Sequence, residues 1–326
     1  MSQRRAALVV LALLAAVITS VPAHSDPPVA LEDTFAPTEP TARDFPADFL
    51  PRLPLDAQEQ RASVKDWKDP HVGGWGGSLA GGASCQGWYR QHRSAAPPVV
   101  FVHGNTSDAE FWRGSDSGEG TTENVRTRFL AAGYSACQLW AISYDGASGS
   151  YFTYDDINVA EVYAFLTAVR GYLDAPSVDV VSHSLGVTIV RKAGLLHPQL
   201  YGWMSSFVGL AGANHGTTTC RGRGADGTAD SNVCLETEPG SPWLAALNAG
   251  PHGAGEAPPG PRYLTLYDGS GLADDFYLGP DAQSPALAGR AVCNHQMPLT
   301  AHNSFAISRT AIDYYLGFLH TGACPP

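Results

Sequence analysis

The sequence predicts an α/β fold: a mostly parallel central sheet covered by helices on both faces. Three observations carry that reading. Short apolar runs alternate with helical patterns through the second two thirds of the chain, the order expected of a parallel sheet wound with helices. The runs are continuous, as in Val99-Val100-Phe101-Val102, which suits strands buried on both faces. The chain has 326 residues, 44% hydrophobic and 16% charged, so it can bury a large core.

Residues 1–23 show the three-part pattern of a secretory signal peptide. Arg4 and Arg5 open it, Ala6 to Ile18 is unbroken apolar sequence, and Val21-Pro22-Ala23 supplies small residues for cleavage. The run is shorter than the roughly 20 residues of a membrane span, so no stable membrane anchor is expected. Cleavage would remove two Arg and no acid, taking the net charge from 20 − 31 = −11 to 18 − 31 = −13. That balance argues against a nucleic-acid partner, which calls for a basic stripe.

Residues 24–83 read as a Pro- and Gly-rich arm or linker. Pro27, Pro28, Pro37, Pro40, Pro46, Pro51 and Pro54 exclude a long helix, and Gly73-Gly74-Trp75-Gly76-Gly77 reads as flexible. The catalytic domain is expected over 84–326. An even set of six cysteines in an exported chain reads as disulfides. Six cysteines allow about 15 connectivities and the sequence does not choose among them; the near-neighbour set would join two early strands by Cys85–Cys137, close a Gly-rich loop by Cys220–Cys234 and tie down the C-terminus by Cys293–Cys324.

Within that domain, strands are expected at Val99–Val102, Ala136–Ile142, Val178–Val181, Ser206–Leu210 and Tyr263–Tyr267. Val159, Val162, Leu166, Val169 and Leu173 are spaced for one face of a helix over Ile157–Leu173, capped by Asp155 or Asp156. Further helices are expected at Leu185–Leu196, which stops before Pro198, at Pro242–Asn248, and at Phe305–His320.

The informative segment is Val180-Val181-Ser182-His183-Ser184-Leu185-Gly186-Val187. An apolar strand enters a small-x-Ser-x-Gly turn and leaves as a helix, the setting of a nucleophile elbow. So tight a turn strains Ser184 and requires small residues two places either side. Gly186 meets that demand; Ser182 stands where Gly is commoner. The strand Val99–Val102 ends in His103-Gly104-Asn105. The loop after such a strand and the residue after the nucleophile supply oxyanion amides, here Asn105 and Leu185. His103 reads as a loop-ordering side chain. The acid and base should follow the serine in that order. Asp268, Asp274 and Asp275 follow the strand Tyr263–Tyr267. Asp274 is preferred because residues 269–273 give the chain room to turn, with Asp275 the alternative. Among the late histidines, His302 lies directly before the last helix and is preferred as base. His320 reads as exposed and His295 as structural.

At these residues the chain resembles the class 2 lipases of the α/β-hydrolase superfamily, and it is also similar to extracellular polyhydroxyalkanoate depolymerases with a lipase-like elbow. The resemblance runs from about Val99 to Leu319. It rests on Phe101-Val102-His103-Gly104-Asn105, the elbow, Leu210-Ala211-Gly212-Ala213-Asn214-His215-Gly216-Thr217, Leu272-Ala273-Asp274 and Ala301-His302-Asn303. The family elbow commonly reads Ala-His-Ser-Met-Gly; here Ser182 replaces Ala and Leu185 replaces Met. The resemblance implies an α/β-hydrolase fold and ester hydrolysis through Ser184, Asp274 and His302 without a cofactor. His215 falls in a loop motif rather than at a triad position.

The substrate expected is a lipid or, in the second reading, a polyester, handled by a monomer. Residues 212–262 are Gly-rich and read as a lid or as decoration. Trp140, Tyr144, Tyr151, Phe152 and Tyr154 are candidates to line an acyl or polymer cleft, with core packing as the alternative. Acyl transfer to an alcohol shares the same triad. An inactive fold kept for binding is a reading of another class, opposed by the presence of all three triad types in order. No metal is expected, since no histidine pair has H-E-x-x-H spacing.

Overall fold

The computed structural model describes residues 45, 49, 73–77, 84–93, 95–105, 107–114, 123–144, 158–222 and 231–326. The expected signal peptide, most of the arm, Tyr151, Phe152, Tyr154, Asp155 and Asp156 lie outside the described residues.

Seven strands form one sheet: β1 Gly73–Gly76, β2 Val99–Val102, β3 Leu139–Ser143, β4 Val178–His183, β5 Met204–Leu210, β6 Arg262–Tyr267 and β7 Val292–Gln296. Their spatial order is β1-β3-β2-β4-β5-β6-β7. β1 is antiparallel to β3, and every other pair is parallel. Successive strand residues face opposite sides, and each face has its own core. Val100, Val102, Val180 and Phe207 pack with Val162, Leu166, Ile189 and Val190 of the helices Val159–Leu173 and Leu185–Leu196. Val99, Phe101, Val181, Val208 and Leu264 pack with Phe129 of Val125–Ala131 and with Ile312, Tyr315 and Leu319 of Arg309–Thr321. The continuous apolar runs follow from this, because both faces of the central strands are buried.

Several elements depart from expectation. The sheet takes in Gly73–Gly76, ahead of the boundary expected at 84, and Phe45 and Phe49 join the core against Trp140. The glycines of β1 serve close approach rather than flexibility. A Cβ on Gly76 would lie 2.6 Å from the Trp140 ring, and one on Gly74 would overlap the Ala141 carbonyl. β7 was not expected: its sequence Val-Cys-Asn-His-Gln is half exposed at the sheet edge and shows no apolar run. The expected C-terminal helix breaks in two, Ser304–Ile307 and Arg309–Thr321. Ser308 is extended there (φ −72, ψ 147), and its hydroxyl caps the second piece by accepting from Ala311 N. The pairs Cys85–Cys137, Cys220–Cys234 and Cys293–Cys324 are all present. The first joins the start of the helix Cys85–Gln91 to a 3-10 turn at 136–138, not two strands. No helix among the described residues is long and apolar enough to cross a membrane.

Candidate active site

Ser184 stands between β4 and the helix Leu185–Leu196 with φ 53 and ψ −123. A non-glycine residue held there costs on the order of 1–3 kcal/mol and persists only where its surroundings over-determine it. Ser184 N donates to Leu210 O at 2.8 Å, and Ser184 O accepts from Val187 N at 3.1 Å. Close packing does the rest. A Cβ on Gly186 would lie 2.9 Å from Val102 O and closer still to His103 O; one on Gly104 would lie 2.8 Å from Ser184 Cβ. Ser182 is tolerated in place of glycine because its buried hydroxyl donates to Val208 O at 3.2 Å on β5.

Three side chains converge at the carboxyl ends of the strands. His302 Nε2 is 2.9 Å from Ser184 Oγ, and its Nδ1 is 3.0 and 3.1 Å from the two oxygens of Asp274. With the carboxylate as acceptor, Nδ1 carries the proton and Nε2 is free to accept from the serine. Asp274 has no exposed surface, whereas Asp275 is exposed. His302 is 8% exposed and flanked by the rings of Phe276 at 4.5 Å and Tyr277 at 5.9 Å.

Burial keeps His103 and His183 neutral. Burial drives His103 down to about 3, against a raising hydrogen bond to Gly104. Its Nδ1–H donates to Gly104 O at 2.7 Å, and its Nε2 accepts from Tyr144 N at 3.3 Å. This is the loop-ordering role expected of it. Burial, and then the charge of His302, hold His183 well below the ordinary histidine value. Its Nε2–H donates to the His302 carbonyl at 3.0 Å, fixing the backbone at His302. The sequence marks His183 only as part of the elbow motif and gives no signal for this bond to the His302 backbone.

Two of the five aromatic candidates for a substrate cleft, Trp140 and Tyr144, are described, and both are buried. Trp140 points from β3 into the core shared with Val159–Leu173, with no exposed surface, packed on Phe45, Phe49 and Tyr172, its indole N–H donating to Cys137 O. The cause is strand alternation: Trp140 and Ile142 share one face, Leu139 and Ala141 the other. Tyr144 is also buried, stacked 4.0 Å from His103, and its hydroxyl donates to His103 O at 2.9 Å. It braces the loop that carries Asn105. Leu185 opens its helix, where the first amides have no intrahelical partner. His215 bonds Glu256 and the Ser284 carbonyl, apart from the trio. The described parts of 212–262 are tied to the body: Thr217 Oγ1 donates to Phe276 O at 2.6 Å, and Arg191 bonds Asn214 and Asn248.

A parallel sheet, a strained serine at its carboxyl edge, and a histidine and carboxylate from later loops define an α/β-hydrolase fold. The family described as Lipase (class 2) matches residues 96–258, half of the chain, and the protein belongs to that family. Among solved structures it is similar to Bacillus licheniformis lipase BlEst2 in its propeptide form, with 16% identity and a TM-score of 0.52, covering 71% of this chain and 52% of that one. It is similar also to Aspergillus fumigatus lipase B, with 14% identity and a TM-score of 0.54, covering 79% and 57%. The chain thus spans about half the length of these structures, and at such identity the likeness is one of fold. Among curated proteins no match is found.

Proposed function

We propose that the protein is a secreted serine hydrolase that cleaves carboxylic esters, with Ser184 as nucleophile, His302 as general base and acid, and Asp274 as its orienting acid. The observation that carries this is the continuous hydrogen-bonded chain from Ser184 Oγ through His302 to Asp274. Ser184 Oγ attacks the ester carbonyl while its proton passes to His302 Nε2. The imidazolium is stabilised by Asp274. The tetrahedral oxyanion is held by the amides of Leu185 and Asn105, each worth about 3 kcal/mol. Collapse expels the alcohol, which takes the proton from Nε2. Water then attacks the acyl-enzyme by the same steps, His302 accepting its proton and returning it to Ser184. Three disulfides support a life outside the cytosol.

The test is hydrolysis of p-nitrophenyl esters from acetyl to palmitoyl, with Ser184→Ala as blank. Serine-dependent turnover is expected; turnover retained by Ser184→Ala overturns the assignment. A polyester substrate is the second reading. It is favoured by the bonds that tie Asn214, Thr217 and Asn248 to the body, which suit an open site better than a mobile lid at those positions, and it is tested on polyester films with the same blank.

A further inference from the structure

We infer that Asp268 is a positioning residue that sets the distance between the acid and the base. The inference rests on the triad reading above. Asp268 lies at the end of β6, is 2% exposed, and belongs to no expected role beyond a rejected candidate for the acid. Its two oxygens are divided between two loops. Oδ2 accepts from Leu272 N at 2.9 Å and Ala273 N at 3.0 Å, closing the turn that delivers Asp274. Oδ1 accepts from Ser270 Oγ at 2.5 Å and from Leu299 N at 2.7 Å, on the loop that delivers His302 three residues later.

One carboxylate therefore ties together the acid loop and the base loop, 31 residues apart in sequence at their point of attachment. The chain is strained to make the tie. Leu299 takes φ 61 although 68% exposed, so no packing of its side chain accounts for that conformation. Gly269 and Gly271 have positive φ and press on Gln296 and Gly279, where any Cβ would collide. Burial raises the Asp268 carboxyl, but the Ser270 hydroxyl and the amides of Ala273, Leu272 and Leu299 outweigh it and hold it at about 2. The carboxylate is thus charged at neutral pH.

The side chain touches neither Ser184 nor His302 among its described bonds, so it acts through the geometry of the pair. Asp268→Asn keeps the size but turns an amide N–H toward backbone donors, leaving at least one unpaired. The expected result on a p-nitrophenyl ester is a fall in kcat of roughly 10- to 100-fold, the scale of a misplacement near 1 Å, with KM within about twofold. In an Asp274→Asn background the same change should cost about twofold or less, because the geometry it sets no longer matters. The far-downfield proton resonance of His302 Nδ1 should weaken or shift in Asp268→Asn. Equal losses in both backgrounds, no loss in either, or an unchanged resonance overturns the inference. Should Asp268→Asn fail to fold, Ser270→Ala removes one donor to the same carboxylate. It is expected to lower kcat by about two- to fivefold in a way that vanishes with Asp274→Asn; a loss that persists there, or none, overturns it. Asp274→Asn alone tests the triad separately, since undiminished turnover in that variant defeats the triad and the inference with it.

Discussion

Gly186→Ala adds one methyl group where the elbow helix meets β2. The new Cβ would lie 2.9 Å from Val102 O, 3.1 Å from Val102 Cγ1, and closer still to His103 O. An ordinary carbon–oxygen contact is about 3.3 Å or more. Two of the three obstacles are backbone carbonyls, one at the end of β2 and one in the loop that follows it, so neither can swing aside as a side chain would. Relief requires the helix or the His103 loop to move by an amount on the order of 1 Å. Overpacking of this kind costs about 1–3 kcal/mol of stability. On the proposed mechanism, a misplacement near 1 Å between Ser184 and the amides of Leu185 and Asn105 costs about 100-fold in rate. Gly171→Ala is the control: Gly171 lies inside the helix Val159–Leu173, with nothing within 4 Å of a new Cβ. That change should stabilise by about 0.5–1 kcal/mol and leave kcat alone. Thermal melts and p-nitrophenyl ester kinetics on both variants decide the matter. Full activity and an unchanged melting temperature in Gly186→Ala would refute the close approach of strand and helix.

Three other outcomes are expected. Tyr144→Phe loses the hydroxyl that donates to the carbonyls of His103 and Gly104 at 2.9 and 3.2 Å; kcat should fall several-fold with KM steady, and a change in KM alone would return Tyr144 to a substrate role. Asp179 has no exposed surface, and burial pushes it up to about 6 from 3.8, with Ser206, Arg262 and Ser205 opposing. A folded pKa above the unfolded one means stability that is full below pH 4 and declines as pH rises through 6, so Asp179→Asn should raise the melting temperature at pH 8 more than at pH 4; an equal change at both counts against it. Cys85–Cys137 closes a 52-residue separation and Cys220–Cys234 one of 14. Chain entropy gives about 4 and 3 kcal/mol, so replacing the first pair by alanines should lower the denaturation midpoint further than replacing the second.

Much of this protein is legible in local pattern. The runs that became β2, β4, β5 and β6 are buried on both faces, so composition alone marks them. The elbow is legible because a strand, a strained serine and a helix fall within a dozen residues and each leaves a residue-type signature. The order serine, acid, histidine narrowed the site to a few candidates, and near-neighbour pairing matched all three disulfides. Elements outside those rules were hidden. β7 is a half-exposed edge strand without a run of apolar residues. β1 is nearly all glycine, and its glycines look flexible until Ala141 and Trp140 are placed against them. Ser308 looks like any helix residue until its backbone turns extended.

The sequence by itself determined the parallel α/β architecture, the position of the elbow and the residue types available around it, because those depend on periodicity, turn sterics and chain order. Only the tertiary structure decided which carboxylate meets His302. Asp274 and Asp275 are adjacent and chemically alike, and burial of one beside His302 depends on a loop held by Asp268 and Leu299. It likewise sent Trp140 into the core and Tyr144 beneath His103, since the face a strand residue occupies is set by the elements packed on either side. Each of these choices is a contact between segments far apart in sequence, where no local preference tells one partner from another.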